Sequence, residues 1–443
     1  MKKRVSFHTL GCRLNQAETA LLASDLCEHG YQMVPWGEPA EVVVLNTCAV
    51  TGIASRKSRQ LVSLARRRNP EAFLVVCGCA ASDPGLLEGS CGKMVDLLLC
   101  NPKPQRLSAY LPEEPRHLPR EEAVQPVKAQ EPRDCFTVPG VGLHGDRTRA
   151  HLKVQDGCSF RCTYCIVPSV RGPACSRAWE DVLREARELV SRGYKELVLT
   201  GVNVAAYRQP QGDLADLLAA LLEIPGDFRL RLGSVEPGPS LERILELMAG
   251  HPRMCRFLHL PLQYGEATIL RRMGRRYTLE EYGDTVRRAA ERIPGICLGT
   301  DVMVGFPGET EALFAQCYDY LDSLPLALMH VFRYSPRPGT PAATWPGRPT
   351  GAVSRPREEK LLSLAARKAR AFASSQLGKS LPVLLEEEGE GWQGWSDNYL
   401  HVVLQKLPAS CDVKEILPCR IGGLLPGERD VAGEVVTEET QDK

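Results

Sequence analysis

The chain has 443 residues, 43% of them hydrophobic and 25% charged, with a formal net charge of +1. That length predicts two or three domains rather than one core, and the near-neutral balance excludes a global basic field, so any RNA contact must come from local patches. No apolar run approaches the ~18 residues of a membrane span, Met1-Lys2-Lys3-Arg4-Val5-Ser6 opens no secretory apolar core, and 17 cysteines, an odd number in the expected cytoplasmic setting, read as metal ligands and buried thiols rather than a disulfide framework.

From 4 to 101, apolar runs at 5–9, 41–46, 73–77 and 95–99 alternate with helix-like patterns at 16–29 and 53–68. The alternation predicts a small parallel α/β sheet, and in such sheets ligands bind beyond the carboxyl ends of the strands. Cys12, Cys48 and Cys79 each follow one of the first three runs, with Cys77 as a rival to Cys79. Loops at one sheet edge can meet in space, so these thiols fit either a three-cysteine metal centre or three buried small hydrophobes. The helical stretch after Cys48 carries Arg56, Lys57, Arg59, Arg66, Arg67 and Arg68, which suits either phosphate contact or a solvated face.

Residues 103–146 are rich in Pro, Glu, Arg and Lys and lack either periodicity, so they read as a partly ordered linker. Six further apolar runs follow, at 150–155, 196–200, 228–234, 257–262, 298–304 and 326–334, separated by helical patterns at 179–192, 213–223, 241–249, 279–292 and 310–321. Six strands with five crossovers predict a partial β/α barrel with its reactive loops on the carboxyl edge. The first of those loops holds Cys158, Cys162 and Cys165 at C-x3-C-x2-C spacing. An iron–sulfur cluster normally takes four cysteines, so three would leave one iron open for a small molecule such as S-adenosylmethionine. A zinc site or a disulfide remains open on spacing alone, although zinc prefers paired C-x2-C units and a disulfide leaves one thiol over.

Later strand ends carry glycine or polar residues where apolar ones would be expected: Gly201 and Asn203, Ser234 and Glu236, Gln263, and Asp301. Arg177 is a candidate clamp for a carboxylate. The run from Arg271 to Arg276 places four cations in six residues, either for an RNA backbone or for solubility. A Pro-rich connection at 335–356 leads to an amphipathic helix at 357–375 and a small β-rich unit with strands at 381–386, 400–404 and 429–436. Within it, Trp392, Trp395 and Tyr399 suit base stacking or core packing.

Residues 155–172, QDGCSFRCTYCIVPSVRG, resemble the signature of radical S-adenosylmethionine enzymes and specifically the methylthiotransferase family. TLGCRLNQAE, NTCAVT and GCA resemble the three ligand motifs of that family's amino-terminal domain, with Cys79 at the Gly-Cys position, and 392–399 resembles a turn of the TRAM module. The resemblance implies an α/β architecture in four parts: an amino-terminal methylthiotransferase domain at 1–102, the linker at 103–146, a partial (β/α)6 radical barrel at 147–376 and a TRAM-like β-barrel at 377–440. It implies two [4Fe-4S] clusters, one on Cys12, Cys48 and Cys79 and a catalytic one on Cys158, Cys162 and Cys165, with S-adenosyl-L-methionine contacted by Gly201, Asn203, Ser234, Glu236, Gln263, Asp301 and Arg177. One S-adenosylmethionine would methylate sulfur at the first cluster, and another would be cleaved at the second to a 5′-deoxyadenosyl radical. Implied partners are the tRNA anticodon stem-loop, an electron donor such as flavodoxin or ferredoxin, and a sulfur source, without a membrane. The motifs around Cys12 and Cys48 look most like the branch that acts on threonylcarbamoyladenosine at position 37. The isopentenyladenosine and ribosomal-protein aspartate branches are alternatives, and a non-catalytic RNA-binding metalloprotein is a rival of another class. Cys175, Gly233 and Tyr264 depart from the family pattern, which often has a basic residue, Ser and Ser there.

Overall fold

Runs of Val and Leu without polar alternation mark strands buried on both faces, and such runs build the amino-terminal sheet. The computed structural model describes residues 2–86, 91–101, 106–117, 124, 126–128, 135–144, 148–388, 391–404, 414–427 and 429–436. The sheet contains β1 (Arg4–Thr9), β2 (Gln32–Val34), β3 (Val42–Thr47), β4 (Phe73–Gly78), β5 (Leu97–Cys100) and β6 (Pro126–Lys128), all parallel, in the order β2-β1-β3-β4-β5-β6. Every position of β3 and β4 is buried. Helix α1 (Arg13–Glu28) packs Leu22 and Leu26 against Val42, Val44 and Val75, while α2 (Gly52–Arg68) packs Leu61, Val62 and Ala65 with Val43, Leu45, Leu74 and Val76. Two edge strands were not expected, and β6 comes from the supposed linker. Residues 103–105, 118–123, 125, 129–134 and 145–147 of that linker lie outside the described residues.

Next come β7 (Cys135–Phe136), β8 (Arg149–Lys153), β9 (Gln155–Asp156), α3 (Val167–Arg171), β10 (Cys175–Arg177), α4 (Trp179–Ser191), β11 (Glu196–Thr200), the β12 (Arg208–Gln209) and β13 (Gly212–Asp213) hairpin, α5 (Leu214–Leu222), β14 (Arg229–Leu232) and α6 (Leu241–Gly250). The domain continues through β15 (Phe257–His259), α7 (Ala267–Arg272), α8 (Leu279–Arg292), β16 (Cys297–Val304), α9 (Glu311–Ser323), β17 (Leu328–Arg333) and α10 (Gly351–Ser375). Strands β8, β11 and β14 pair in parallel, as do β15, β16 and β17. Bridges Leu230↔Met254 and Ser234↔His259 join the two groups into one curved six-stranded wall. The strand and helix expectations of the sequence hold here, except that α10 begins at Gly351 and passes through Pro356, giving up one backbone bond.

Alternation along the strands sorts the side chains. Leu197, Leu199, Leu230, Leu232 and Leu258 pack outward into the large core under the helices. Glu196, Arg229, Arg231, Phe257 and His259 therefore turn to the lumen. The chain ends in a closed barrel of β18 (Ser380–Glu388), β19 (Gly391–Ser396), β20 (His401–Leu404), β21 (Ile416–Leu424) and β22 (Asp430–Val435), in the order β18-β19-β20-β22-β21. Residues 389–390, 405–413, 428 and 437–440 of the expected module lie outside the described residues. Glu196 binds both Arg229 and Arg231, and these donate to the carbonyls of Pro382, Trp395, Ser396 and Asp397. Since Glu196 and Arg229 open their strands, the terminal module closes the amino end of the barrel. No described helix is long and apolar enough to cross a membrane.

Candidate two-centre active site

Cys12 caps α1, Cys48 follows β3 and Cys79 follows β4, so all three sit on the carboxyl edge of the first sheet. Two glycines allow the loops to close. A Cβ on Gly11 would lie 3.0 Å from Cys48 Cβ, and one on Gly78, at φ +94°, would lie 2.3 Å from the Thr47 carbonyl oxygen. Burial pushes the Cys48 thiol up to about 11, and its neighbours Cys79 and Cys12 add to the shift. Cys77 is buried on the other face of β4, among Val42, Val44 and Phe73, and does not join this group.

The second set occupies the loop between β9 and α3. Gly157 at φ +66° starts it, and a Cβ there would meet the Pro173 carbonyl oxygen at 1.9 Å. Backbone bonds Cys158 N to Gly172 O at 3.0 Å and Thr163 N to Met273 O at 3.0 Å pin the loop. Burial drives the Cys165 thiol up to about 12, with Cys162 and Cys158 close enough to oppose its ionisation further. Three clustered, half-buried thiols are unfavourable as anions unless a cation or cluster holds them.

Within the Arg271–Arg276 run Arg275 supports this loop, while Arg271, Arg272 and Arg276 are exposed. Gly274, at φ +76°, turns the chain so that Arg275 points inward, pairs with Glu236 and approaches Cys162 Sγ at 3.6 Å. Arg276 lies 4.1 Å from the Phe160 ring centroid, and Arg272 lies 5.2 Å from that of Trp345.

The predicted cofactor contacts fall into three groups. Gly201 lies against Gln155, where a Cβ would come within 2.9 Å of the backbone oxygen and of Oε1, and Gln155 Oε1 accepts from Asn203 N at 2.8 Å. Asn203 Oδ1 and Gln263 Oε1 are buried acceptors without a donor among the described residues, and Gln263 has a φ of 82°. These are the orphan atoms expected where a ligand completes the site. Ser234 is exposed, and burial raises Glu236 although Arg275 opposes the shift. Asp301 accepts from His259 Nε2 and His330 Nδ1, both at 3.2 Å, which with burial opposing holds its carboxyl well below the usual range. Their ligand atoms lie within 4.8 Å of one another, close enough to hold a cation, yet the hydrogen bonds already satisfy them.

Arg177 requires a correction. It is fully buried, its Nε donates to Asp181 at 2.6 Å, its Nη1 binds Glu185 and the Lys153 carbonyl, and its Nη2 donates to the Asp181 carbonyl. Its guanidinium anchors α4 to β8 and does not face the cysteine loops. Of the 392–399 aromatics, Tyr399 packs on Phe257 at 4.5 Å and on Trp395 at 4.8 Å between the module and the lumen.

Arg171 joins the two cysteine sets. Buried at the end of α3, it donates from Nε to Cys79 Sγ at 3.1 Å, from Nη1 to Glu18 at 2.9 Å and Asp156 at 2.8 Å, and from Nη2 to Asn15 at 2.6 Å. Lys153 completes the net by binding Glu18 at 2.9 Å and Asp156 at 2.7 Å. Arg171 and Asp156 both lie in the quoted motif, but no sequence signal names the partners Asn15, Glu18 and Cys79, which stand on the amino-terminal domain.

Residues 152–321 match the Radical SAM superfamily, and residues 4–98 match the uncharacterized protein family UPF0004. The chain is 34% identical to threonylcarbamoyladenosine tRNA methylthiotransferase MtaB of Bacillus subtilis, covering 90% of each chain. The chain belongs to the radical S-adenosylmethionine methylthiotransferase family. The MtaB of Aquifex aeolicus is 35% identical over 90% of this methylthiotransferase and 96% of its own length. A tRNA-2-methylthio-N(6)-dimethylallyladenosine synthase of Parafrankia is 36% identical over 86% and 78%. The radical S-adenosylmethionine methyltransferase TsrM of Kitasatospora setae shares the fold of the methylthiotransferase at a TM-score of 0.53 and 17% identity, covering 77% and 75% of the chains.

Proposed function

We propose that this methylthiotransferase places a methylthio group on carbon 2 of N6-threonylcarbamoyladenosine at position 37 of tRNA. The observation that carries the reading is the meeting of two three-cysteine sets across Arg171, in a chain that aligns with threonylcarbamoyladenosine enzymes over nine-tenths of both lengths. The thiol sets and the orphan acceptors fit two iron–sulfur clusters and S-adenosylmethionine. In this reading Cys12, Cys48 and Cys79 hold one cluster, Cys158, Cys162 and Cys165 hold the other, and Asn203 Oδ1 and Gln263 Oε1 accept hydrogen bonds from the cofactor. Together these groups supply radical chemistry at a carbon–hydrogen bond that no acid–base pair could open at neutral pH.

The chain's own side chains set the stage for that chemistry. Arg275 neutralises Glu236 beside Cys162, so the loop keeps one geometry. Arg171 fixes the spacing between the two sets through groups that are themselves buried. The terminal module closes the lumen from below and excludes water, which strengthens every polar contact within it. Electrons would come from a one-electron donor such as flavodoxin or ferredoxin and the sulfur from a separate source, with tRNA in the cytoplasm as the partner. The test is nucleoside mass spectrometry of tRNA from cells lacking any such activity, with and without this chain. Appearance of 2-methylthio-threonylcarbamoyladenosine is expected. Appearance of only the dimethylallyl derivative would move the assignment to that branch.

A further inference from the structure

Several cations around the lumen are neutralised by carboxylates, whereas Arg13 and Arg429 form no such ion pair among the described residues. Glu196 serves Arg229 and Arg231, Glu18 and Asp156 serve Lys153, and Glu236 serves Arg275. Arg13 has no carboxylate partner among the described residues. It is the first residue of α1, beside Cys12, where the helix dipole disfavours a cation. Its Nη2 donates to the Tyr399 hydroxyl at 2.7 Å, and its Cζ lies 5.6 Å from the Tyr399 ring centroid. Arg429 lies 5.2 Å from the same centroid, and its Nη1 is buried without an acceptor among the described residues. Tyr399 itself has a φ of 65°, a region that bulky residues rarely take and that clusters at functional sites. Its hydroxyl accepts from Arg13, and no described residue accepts its proton. Two unmatched guanidiniums and a free phenolic proton around one strained residue make a binding place for an anion.

We infer that Arg13, the Tyr399 hydroxyl and Arg429 form a carboxylate-binding subsite that receives the threonine carboxylate of the N6-threonylcarbamoyl group. The inference rests on the substrate reading above and supplies its recognition chemistry. N6 and C2 both border the Watson–Crick edge of adenine, so a grip on the N6 substituent next to Cys12 turns C2 toward the first cysteine set. Guanidinium and carboxylate match in charge and in fork geometry. A dimethylallyl group has no charge to offer this place, and leaving the two guanidiniums unmatched disfavours it.

The test measures affinity rather than turnover. Anticodon stem-loop RNAs carrying threonylcarbamoyladenosine, its threonyl methyl ester or dimethylallyladenosine are titrated by fluorescence anisotropy at fixed salt against the reconstituted wild type, Arg13→Met and Tyr399→Phe. The wild type should bind the free acid about tenfold or more tighter than the ester, the size of a charge-assisted contact. Arg13→Met should bring that ratio close to one, and Tyr399→Phe should lower it partway. Because the ratio is taken within one protein, a reduced folded fraction does not alter it. An unchanged ratio in Arg13→Met overturns the subsite. If the wild type binds acid and ester equally yet methylthiolates the acid loop, the subsite is wrong and the functional reading stands. A wild type that converts the dimethylallyl loop and leaves the threonylcarbamoyl loop untouched overturns both.

Discussion

Replacing Arg171 with Met removes the side chain that contacts Cys79 and, with Lys153, ties the two cysteine sets together. The substitution leaves Glu18 and Asp156, both largely buried, to share Lys153 alone. It also strands Asn15 Oδ1 and the Cys79 sulfur without the guanidinium. Breaking a buried ion pair by removing one partner costs about 3–5 kcal/mol, a large share of a total stability of roughly 5–15 kcal/mol. At about 2–4 °C per kcal/mol for units of this size, Tm should fall by roughly 6–20 °C. Differential scanning calorimetry of the apo chain measures this. Adding Glu18→Gln to Arg171→Met restores charge balance around Lys153 and should recover at least half of the loss, a coupling that independent sites would not show. The pH window follows from the shifts. Burial works against the Asp156 carboxyl, but Lys153 and Arg171 hold it below its usual value, so its stabilisation is present above about pH 4 and lost as pH falls through the folded value. Lys153 is raised despite burial, so its share is present below about pH 10.5 and lost above the folded value. The wild-type advantage should therefore be flat between those limits. An Arg171→Met chain melting within about 2 °C of wild type, or a double variant that loses the sum of the singles, would refute the ion net as the link between the domains.

Two further outcomes are expected. Replacing Cys158, Cys162 and Cys165 with Ala should abolish 5′-deoxyadenosine formation under dithionite, whereas replacing Cys12, Cys48 and Cys79 should spare it and abolish the methylthio product. Quantifying both molecules for both variants checks the division, and cofactor cleavage by the first variant would contradict it. Glu196→Gln leaves Arg229 and Arg231 buried without their carboxylate, so the terminal module should lose about 3–5 kcal/mol of docking and become protease-sensitive at neutral pH. In the wild type, burial works against Glu196 but Arg231 and Arg229 hold it well below the usual carboxylate range, so the same release should appear only in strong acid, and a module that stays resistant in Glu196→Gln would refute the contact.

Most of the architecture was legible because parallel strands covered on both sides read as unbroken apolar runs, and β3, β4 and β11 are such runs. In the amino-terminal sheet the two missed strands are three-residue edges: β2 is mostly exposed, and β6 opens with Pro126, so neither carries the buried run that announces a strand. The cysteine loops were legible because glycine and cysteine spacing is local. What the sequence could not show was where long side chains point. Arg177 and Arg275 sit in stretches that looked ligand-facing or RNA-facing, and the structure pairs Arg177 with Asp181 and Glu185 of the next helix and, through the turn at Gly274, Arg275 with Glu236. For Tyr399 the sequence left base stacking and core packing open, and its partners Arg13 and Phe257 come from two other domains.

The central claim is that one chain, with both cysteine sets loaded, modifies threonylcarbamoyladenosine. The direct measurement is anaerobic reconstitution with iron and sulfide, followed by incubation with S-adenosylmethionine, reductant and paired anticodon stem-loops bearing threonylcarbamoyladenosine or dimethylallyladenosine, read by nucleoside mass spectrometry. The account predicts two oxygen-sensitive clusters per chain and the 2-methylthio derivative of the threonylcarbamoyl loop alone, with 5′-deoxyadenosine formed alongside it. Stoichiometric zinc without sulfide, or an unmodified threonylcarbamoyl loop beside a converted dimethylallyl one, would contradict it.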